Sequence, residues 1–473
     1  HRKGPFKSSQ NSSEVGQRRR AHAVEIAREK RFKAFQSRRK KVEDGEQKDY
    51  SAAEWEEAIA SCSAAHGSPT TECPPLAKLR RMLSVEDPSM GVDILVGKNG
   101  VQILMAFLTS SCAANQIEAA WCITNIATGS DEHTAAISDT VPFLVQYLES
   151  SESALADQCC WALGNIAGDS VPMRDKCVAA GAIPPVISLI VPQGPSAKTG
   201  AWTLSNLVRG ADAPLASVVS EGAVPRLCQL VSGATADQVG TAVEAAWVLN
   251  YITACADETY AAAVAATGVV EHLVLCLAGD VAVCVPALRT IGNIVSCSPA
   301  VAVPVITRTP SLVSALAPLL QPGAHRGVVK EACWVVSNVV SAGAECCTMA
   351  AALLPSVLQV LATAPFDVKT EAAYAVHNFA QGGHLERILQ TDALHHFLDI
   401  MRGVNHNARG MALSFVELVL RRAPTGPALV EAADGIDAIE TLEQCADEAL
   451  ARHASALVDE FFGEDYGVDG DMG

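Results

Sequence analysis

Aromatic residues are scarce in this sequence: Phe, Trp and Tyr make up 5% of 473 residues, while 49% are hydrophobic and alanine, valine and leucine dominate. A core of small aliphatic side chains is the composition of helix packed on helix. Alternating apolar and polar runs are short, whereas apolar residues recur at i, i+3, i+4 and i+7, which leaves little room for strands and predicts an all-α fold. No CxxC pair occurs among the sixteen cysteines, which sit in apolar stretches such as Cys159-Cys160 and Cys346-Cys347. With no secretory leader read from His1 onward, buried reduced thiols and no zinc site are expected. Hydrophobic runs are broken by Asp280, Arg308 or proline before about 18 residues, so no membrane insertion is expected. Phosphate loop, HExxH, nucleophile elbow and metal-spaced His and Cys groups are all missing, so no catalytic residue, metal or cofactor is assigned and an enzyme is not expected.

Charge is present but divided. Residues 1–41 hold 14 Lys or Arg against 3 Asp or Glu, a net +11, so the net −17 of the chain leaves −28 on the other 432 residues. Such a body repels nucleic acid and attracts basic partners, the nearest being its own arm.

One phrase returns along the chain. It reads "EAAWCITNIATG" at 118, "QCCWALGNIAGD" at 158, "TGAWTLSNLVRG" at 199, "EAAWVLNYITAC" at 244, "PALRTIGNIVSC" at 286, "EACWVVSNVVSA" at 331 and "EAAYAVHNFAQG" at 371. Its fifth column, counted from the tryptophan, is Asn125, Asn165, Asn206, Tyr251, Asn293, Asn338 and Asn378, at spacings of 40, 41, 45, 42, 45 and 40. A second phrase precedes several copies: "DTVPFLVQYL", "AGAIPPVISLI", "EGAVPRLCQLV", "TGVVEHLVLCL" and "LLPSVLQVL". A small residue ends one helix there, and a proline is tolerated in the first turn of the next. Each unit then reads as one short and two longer helices, and a period of about 40 to 47 residues is that of armadillo and HEAT arrays.

Positions three before and four after the tryptophan share its helical face. That face carries Glu118, Gln158, Thr199, Glu244, Glu331 and Glu371, then an aromatic, then an amide. Burying an unpaired amide costs about 1–3 kcal/mol, so a solvent-facing groove is expected, in which the amides grip an extended peptide backbone. Indoles of neighbouring units would wall slots for Lys or Arg stems, each contact contributing roughly 0.5–2 kcal/mol.

These residues resemble importin-α (karyopherin-α), the adaptor that recognises nuclear localisation signals, over nearly the whole chain, with the WxxxN array and "WALGNIAGD" the specific carriers. The resemblance implies a right-handed armadillo-repeat superhelical solenoid of about ten repeats over 76–462. A basic arm at 1–45 would bind importin-β, a linker would fill 46–75, and 463–473 would form an acidic disordered tail. It implies a major signal site of Trp121, Asn125, Trp161, Asn165, Trp202 and Asn206, with Gln158 as a further contact, and Gly129, Thr134 and Asp169 around the most discriminating lysine. The implied minor site uses Arg289, Asn293, Trp334, Asn338 and Asn378, with Glu331, Ser337 and Glu371 around them. Tyr374 replaces a tryptophan there, and "IVSCSP" after Asn293 lacks the family's acidic pair, so bipartite signals are expected to gain little over single clusters.

In the arm, "RRRAHAVEIAREKRFKAFQSRRKK" resembles the importin-β-binding segment, with Arg18, Arg19 and Arg20 opening it, Arg28, Lys30 and Arg31 within it, and Arg38, Arg39, Lys40 and Lys41 closing it. The closing cluster also resembles a signal for the protein's own groove, preceded by Ser37 where the family has lysine, so a weakened autoinhibition is expected. Implied partners are cargo proteins with basic nuclear localisation signals, importin-β, and an export receptor with RanGTP, in a protein moving between cytoplasm and nucleus. The alternative is an armadillo scaffold for adhesion or signalling partners. His377, in the groove register beside Asn378, is read as structural.

Overall fold

The structure, a computed structural model, describes residues 49–65, 71–85, 87–210, 212–233 and 238–463. Among these residues every regular element is a helix, and the fold is an all-α armadillo solenoid. The arm residues Arg18 to Arg20, Arg28, Lys30, Arg31 and Arg38 to Lys41 lie outside the described residues, as does the tail after Gly463.

The chain divides between Cys255 and Ala256 into two compact units. The N-terminal unit begins with α1 (Ala52–Ala65) and α2 (Pro74–Met82). Four three-helix repeats follow: α3 (Ser89–Gly97), α4 (Gly100–Leu108) and α5 (Ala113–Ile126); α6 (Asp131–Ala136), α7 (Val141–Gln146) and α8 (Ser153–Asp169); α9 (Val171–Ala179), α10 (Ile183–Leu189) and α11 (Ala197–Leu207); α12 (Leu215–Ser220), α13 (Ala223–Ser232) and α14 (Val239–Thr253). Within this unit α2, α5, α8, α11 and α14 pack each on the next.

The C-terminal unit holds five more: α15 (Glu258–Ala266), α16 (Val269–Cys276) and α17 (Val281–Val295); α18 (Pro299–Arg308), α19 (Ser311–Leu316) and α20 (Arg326–Ser341); α21 (Ala344–Ala350), α22 (Leu354–Thr363) and α23 (Phe366–Phe379); α24 (Leu385–Leu389), α25 (Ala393–Arg402) and α26 (His406–Arg422); α27 (Gly426–Ala432), α28 (Gly435–Glu443) and α29 (Glu448–Phe462). Here α17, α20, α23, α26 and α29 pack in succession.

The turn between first and second helices is a backbone device. Gly268 sits at φ 76 and Asn99 at φ 60, the left-handed region that glycine enters without cost and asparagine tolerates. At these residues the chain bends by 87° between α15 and α16 and by 86° between α3 and α4. Side-chain caps start several helices: Asp280 accepts from Ala282 N at 2.8 Å, and Asp447 from Ala449 N and Leu450 N. Alanines at 119, 120, 162, 201, 332, 372 and 373 are fully buried on third helices and let their axes approach, while Leu163, Leu204, Val335 and Val376 fill the space between. Each such Leu or Val contributes about 1.5–3 kcal/mol on burial.

All sixteen cysteines are free, and ten are buried. Loss of hydration pushes the Cys160, Cys177 and Cys333 thiols up to about 12, which makes them packing groups and poor nucleophiles.

Two boundaries differ from expectation. The stretch 46–75 is not all linker, because it contains α1, whose Trp55, Ala58, Ile59 and Cys62 are buried. Ser51 and Glu54 form a capping box, with Ser51 N donating to Glu54 Oε2 at 2.8 Å and Glu54 N to Ser51 Oγ at 3.4 Å, a start signal present in "SAAE". Likewise Ala344–Thr363 is long and apolar enough to cross a membrane by length and composition, so not every run is broken short. In this fold the stretch forms α21, a 3-10 turn and α22, and its Cys346, Cys347, Leu353, Leu354, Val357 and Leu361 are repeat core.

Candidate functional site

In the N-terminal unit the amides do not simply look outward. Asn165 Nδ2 donates to Thr124 O at 3.1 Å, Asn206 Nδ2 to Gly164 O at 3.0 Å, and Asn125 Nδ2 to Ser84 Oγ at 2.9 Å. The C-terminal unit repeats the ladder: Asn338 Nδ2 reaches Gly292 O at 3.3 Å and Asn378 Nδ2 reaches both Ser337 O and Ser337 Oγ at 2.9 Å. The carbonyl acceptor is always the residue before the asparagine of the previous repeat. At Thr124 it is a carbonyl that the ending helix releases, since Thr128 N turns to Asn125 O instead.

This corrects the expectation that the amides need solvent. Asn125, Asn165 and Asn206 are 1–3% exposed, and the cost of burying them is offset by the bond to the preceding helix. Asn293, Asn338 and Asn378 are half-buried. One function is left over: for Asn125, Asn206, Asn338 and Asn378 the amide oxygen has no partner among the described residues.

Indoles pack across the ladder. Trp121 and Trp161 are half-buried, Trp202 is buried, and the rings of Trp161 and Trp202 lie 6.0 Å apart at 58°. A β-carbon on Gly164 would collide with Cζ3 of Trp202, and one on Gly292 with Cζ3 of Trp334, so glycine before the asparagine makes room for the next indole. Trp334 and Tyr374 are half-buried.

Of the residues expected around a lysine, Thr134 on α6 and Asp169 at the end of α8 come together, while Gly129 lies in the turn after α5. Thr134, fully buried, donates from Oγ1 to Asp169 Oδ1 at 3.2 Å, while Asp169 is half-buried and Gly129 is exposed. Arg209 Nη2 donates to Gly168 O at 2.6 Å, beside this carboxylate. Gln158 is 5% exposed and donates from Nε2 to Thr124 Oγ1 at 2.7 Å, so it serves the stack rather than an open face.

In the C-terminal unit Arg289 and Glu331 form a buried ion pair, with Nε and Nη2 at 3.1 and 2.8 Å from Oε1. That pair neutralises an acid which the sequence pattern places on the face. Ser337 is buried in the Asn378 bond, and Glu371 is half-buried. His377 is 1% exposed, 2.9 Å from Gln381 Nε2, with burial pulling its pKa down to about 4. Arg80, Ser84, Arg209 and Gly164 escaped sequence reasoning, although Arg80 and Ser84 stand 41 residues before Trp121 and Asn125, one repeat earlier.

The TMCO6 family description matches residues 71–461. Importin subunit alpha-9 of Arabidopsis thaliana is 32% identical over 518 aligned residues, covering 99% of this chain and 98% of that protein. Importin subunit alpha-2 of Oryza sativa subsp. japonica is 30% identical over 420, covering 83% and 79%. A crystal structure of an engineered protein superposes with a TM-score of 0.76 at 23% identity, over 86% of this chain and 98% of that one, a likeness of fold.

Proposed function

We propose that this chain, which belongs to the family of the TMCO6 description and is similar over most of its length to importin α subunits, is a nuclear import adaptor. It takes up lysine- and arginine-rich nuclear localisation signals on the third helices of the N-terminal unit and links such cargo to importin-β through residues 1–45. The observation that carries this reading is the hydrogen bond from Thr134 on α6 to Asp169, which ends α8, the helix that also carries half-buried Trp161: a carboxylate held in place on an indole-bearing helix. A lysine ammonium meets Asp169 and the Gly129 carbonyl, further lysine stems lie against Trp121, Trp161 and Trp202, and unpartnered amide oxygens of Asn125 and Asn206 accept peptide N–H groups. The −28 body adds long-range attraction and turns away nucleic acid.

A second, weaker set in the C-terminal unit comprises Arg289, Asn293, Glu331, Trp334, Ser337, Asn338, Glu371, Tyr374 and Asn378. Its weakness follows from Glu331 being held by Arg289 and from the tyrosine at 374. The arm competes for the major site until importin-β withdraws it, so cargo and importin-β reinforce one another equally. An export receptor with RanGTP returns the adaptor from nucleus to cytoplasm.

The test is titration of a fluorescent lysine-rich signal peptide against the full chain, the chain without residues 1–45, and that form carrying Asp169→Lys. Tight binding to the shortened form, at least 10-fold weaker with Asp169→Lys and weaker in the full chain, is expected; a tenfold loss corresponds to about 1.4 kcal/mol. Equal binding with Asp169→Lys overturns the site.

A further inference from the structure

Aligned by the repeat, Arg80 on α2 occupies the aromatic column and Ser84 the amide column of the unit before Trp121. Its guanidinium carbon lies 4.6 Å from the Trp121 ring centroid, and its Nε is 2.6 Å from Glu118 Oε2. The Arg80 side chain is 12% exposed and that of Glu118 26%. Among the described residues Nη1 is buried without a hydrogen-bond partner, so ring and carboxylate hold the group rather than a full set of acceptors. The C-terminal unit makes the same substitution independently: Arg289 stands in the aromatic column and binds Glu331, three residues before Trp334 as Glu118 is three before Trp121.

We propose that Arg80 is a built-in ligand of the outermost slot of the N-terminal unit. It fills the outer face of Trp121 and neutralises Glu118, so an incoming basic segment finds that cation site already taken. Its register is thereby confined to the slots between Trp121, Trp161 and Trp202, and a cation placed one step beyond Trp121 adds nothing. The inference rests on the basic-peptide reading and names a residue that sets ligand length and register. Removing the guanidinium leaves an indole face and an unpaired carboxylate, the combination that binds a lysine or arginine side chain.

The experiment uses the full chain and three fluorescent peptides: an alanine-flanked lysine cluster, and the same cluster with one more lysine at either end. The readout is the ratio of Kd values, extended over core, for each protein. The wild-type chain is expected to show a ratio near unity at both ends. Arg80→Ala is expected to bind one extended peptide about 2- to 30-fold tighter than the core, the range a cation over an aromatic face supplies. Arg80→Lys is expected to keep the wild-type ratio, and Arg80→Ala with Glu118→Gln to lose most of the gain. If Arg80→Ala melts early, Arg80→Gln, which keeps the stem against the ring without the charge, gives the same ratio test. Unchanged ratios in both neutral variants, or a wild-type chain that already shows the gain, overturn this inference alone. Absence of binding of any peptide to the wild-type chain overturns the receptor reading and this one with it.

Discussion

Asn206→Asp tests which way the amide column faces. Asn206 is 2% exposed, and its Nδ2 donates to Gly164 O at 3.0 Å. Aspartate keeps the shape but sets an ionised oxygen against a carbonyl oxygen inside the stack. Loss of a buried donor costs about 1–3 kcal/mol, and an uncompensated buried charge raises this to about 3–5 kcal/mol. The carboxyl reduces the penalty by taking a proton, which restores a donor toward Gly164 O and holds its folded pKa above the unfolded value of about 3.9. Below about pH 4 both states are protonated and the variant approaches wild type; the penalty grows as pH rises from there and is complete above the folded pKa. Urea unfolding followed by tryptophan fluorescence reads it, since Trp161 and Trp202 lie on the affected helices. Wild type, Asn206→Asp and Asn206→Leu are compared across pH: the gap to wild type should open with pH for aspartate and stay constant for leucine. A pH-independent gap below about 0.5 kcal/mol for aspartate, within the range of an ordinary surface substitution, refutes the inward hydrogen bond.

His377 makes the opposite demand. Burial lowers its pKa from 6.5 to about 4, so the unfolded chain binds a proton that the fold rejects, and stability present above about pH 6.5 is lost as pH falls toward 4. His377→Phe should flatten that loss, on the order of 3 kcal/mol at its full extent, in unfolding midpoints measured between pH 7 and about 4. Gly164→Ala drives a β-carbon into Trp202 and to 2.7 Å from Thr203 Oγ1, which is itself pinned to Cys160 O at 2.8 Å. Against Gly97→Ala, whose β-carbon meets nothing within 4 Å, it should be less stable by about 1–3 kcal/mol and bind signal peptide more weakly; equal urea midpoints would contradict the packing argument.

The helices, their grouping and the repeat were legible because each is a local, periodic property. A 3.6-residue period marks helical faces, left-handed glycines and prolines mark turns, and a phrase returning every 40 to 45 residues marks an array. Trp121, Trp161 and Trp202 stand out through the same columns, whereas Asp169 lies in none of them and enters only through the resemblance. The start of the fold was missed for want of a copied phrase: α1 has a capping box and an apolar face but no WxxxN. The sequence by itself thus determined an all-α armadillo array with an acidic body and an aromatic and amide column on one face of each third helix. What that face holds was decided by the neighbouring repeat. Whether Asn206 faces solvent depends on a carbonyl 42 residues away, and whether Glu118 or Glu331 meets a ligand depends on an arginine 38 or 42 residues earlier. Hydrogen bonds and ion pairs are satisfied in space, across helices that only packing brings together, so a column of side chains fixes what a face could present, and the stack fixes what remains unspent.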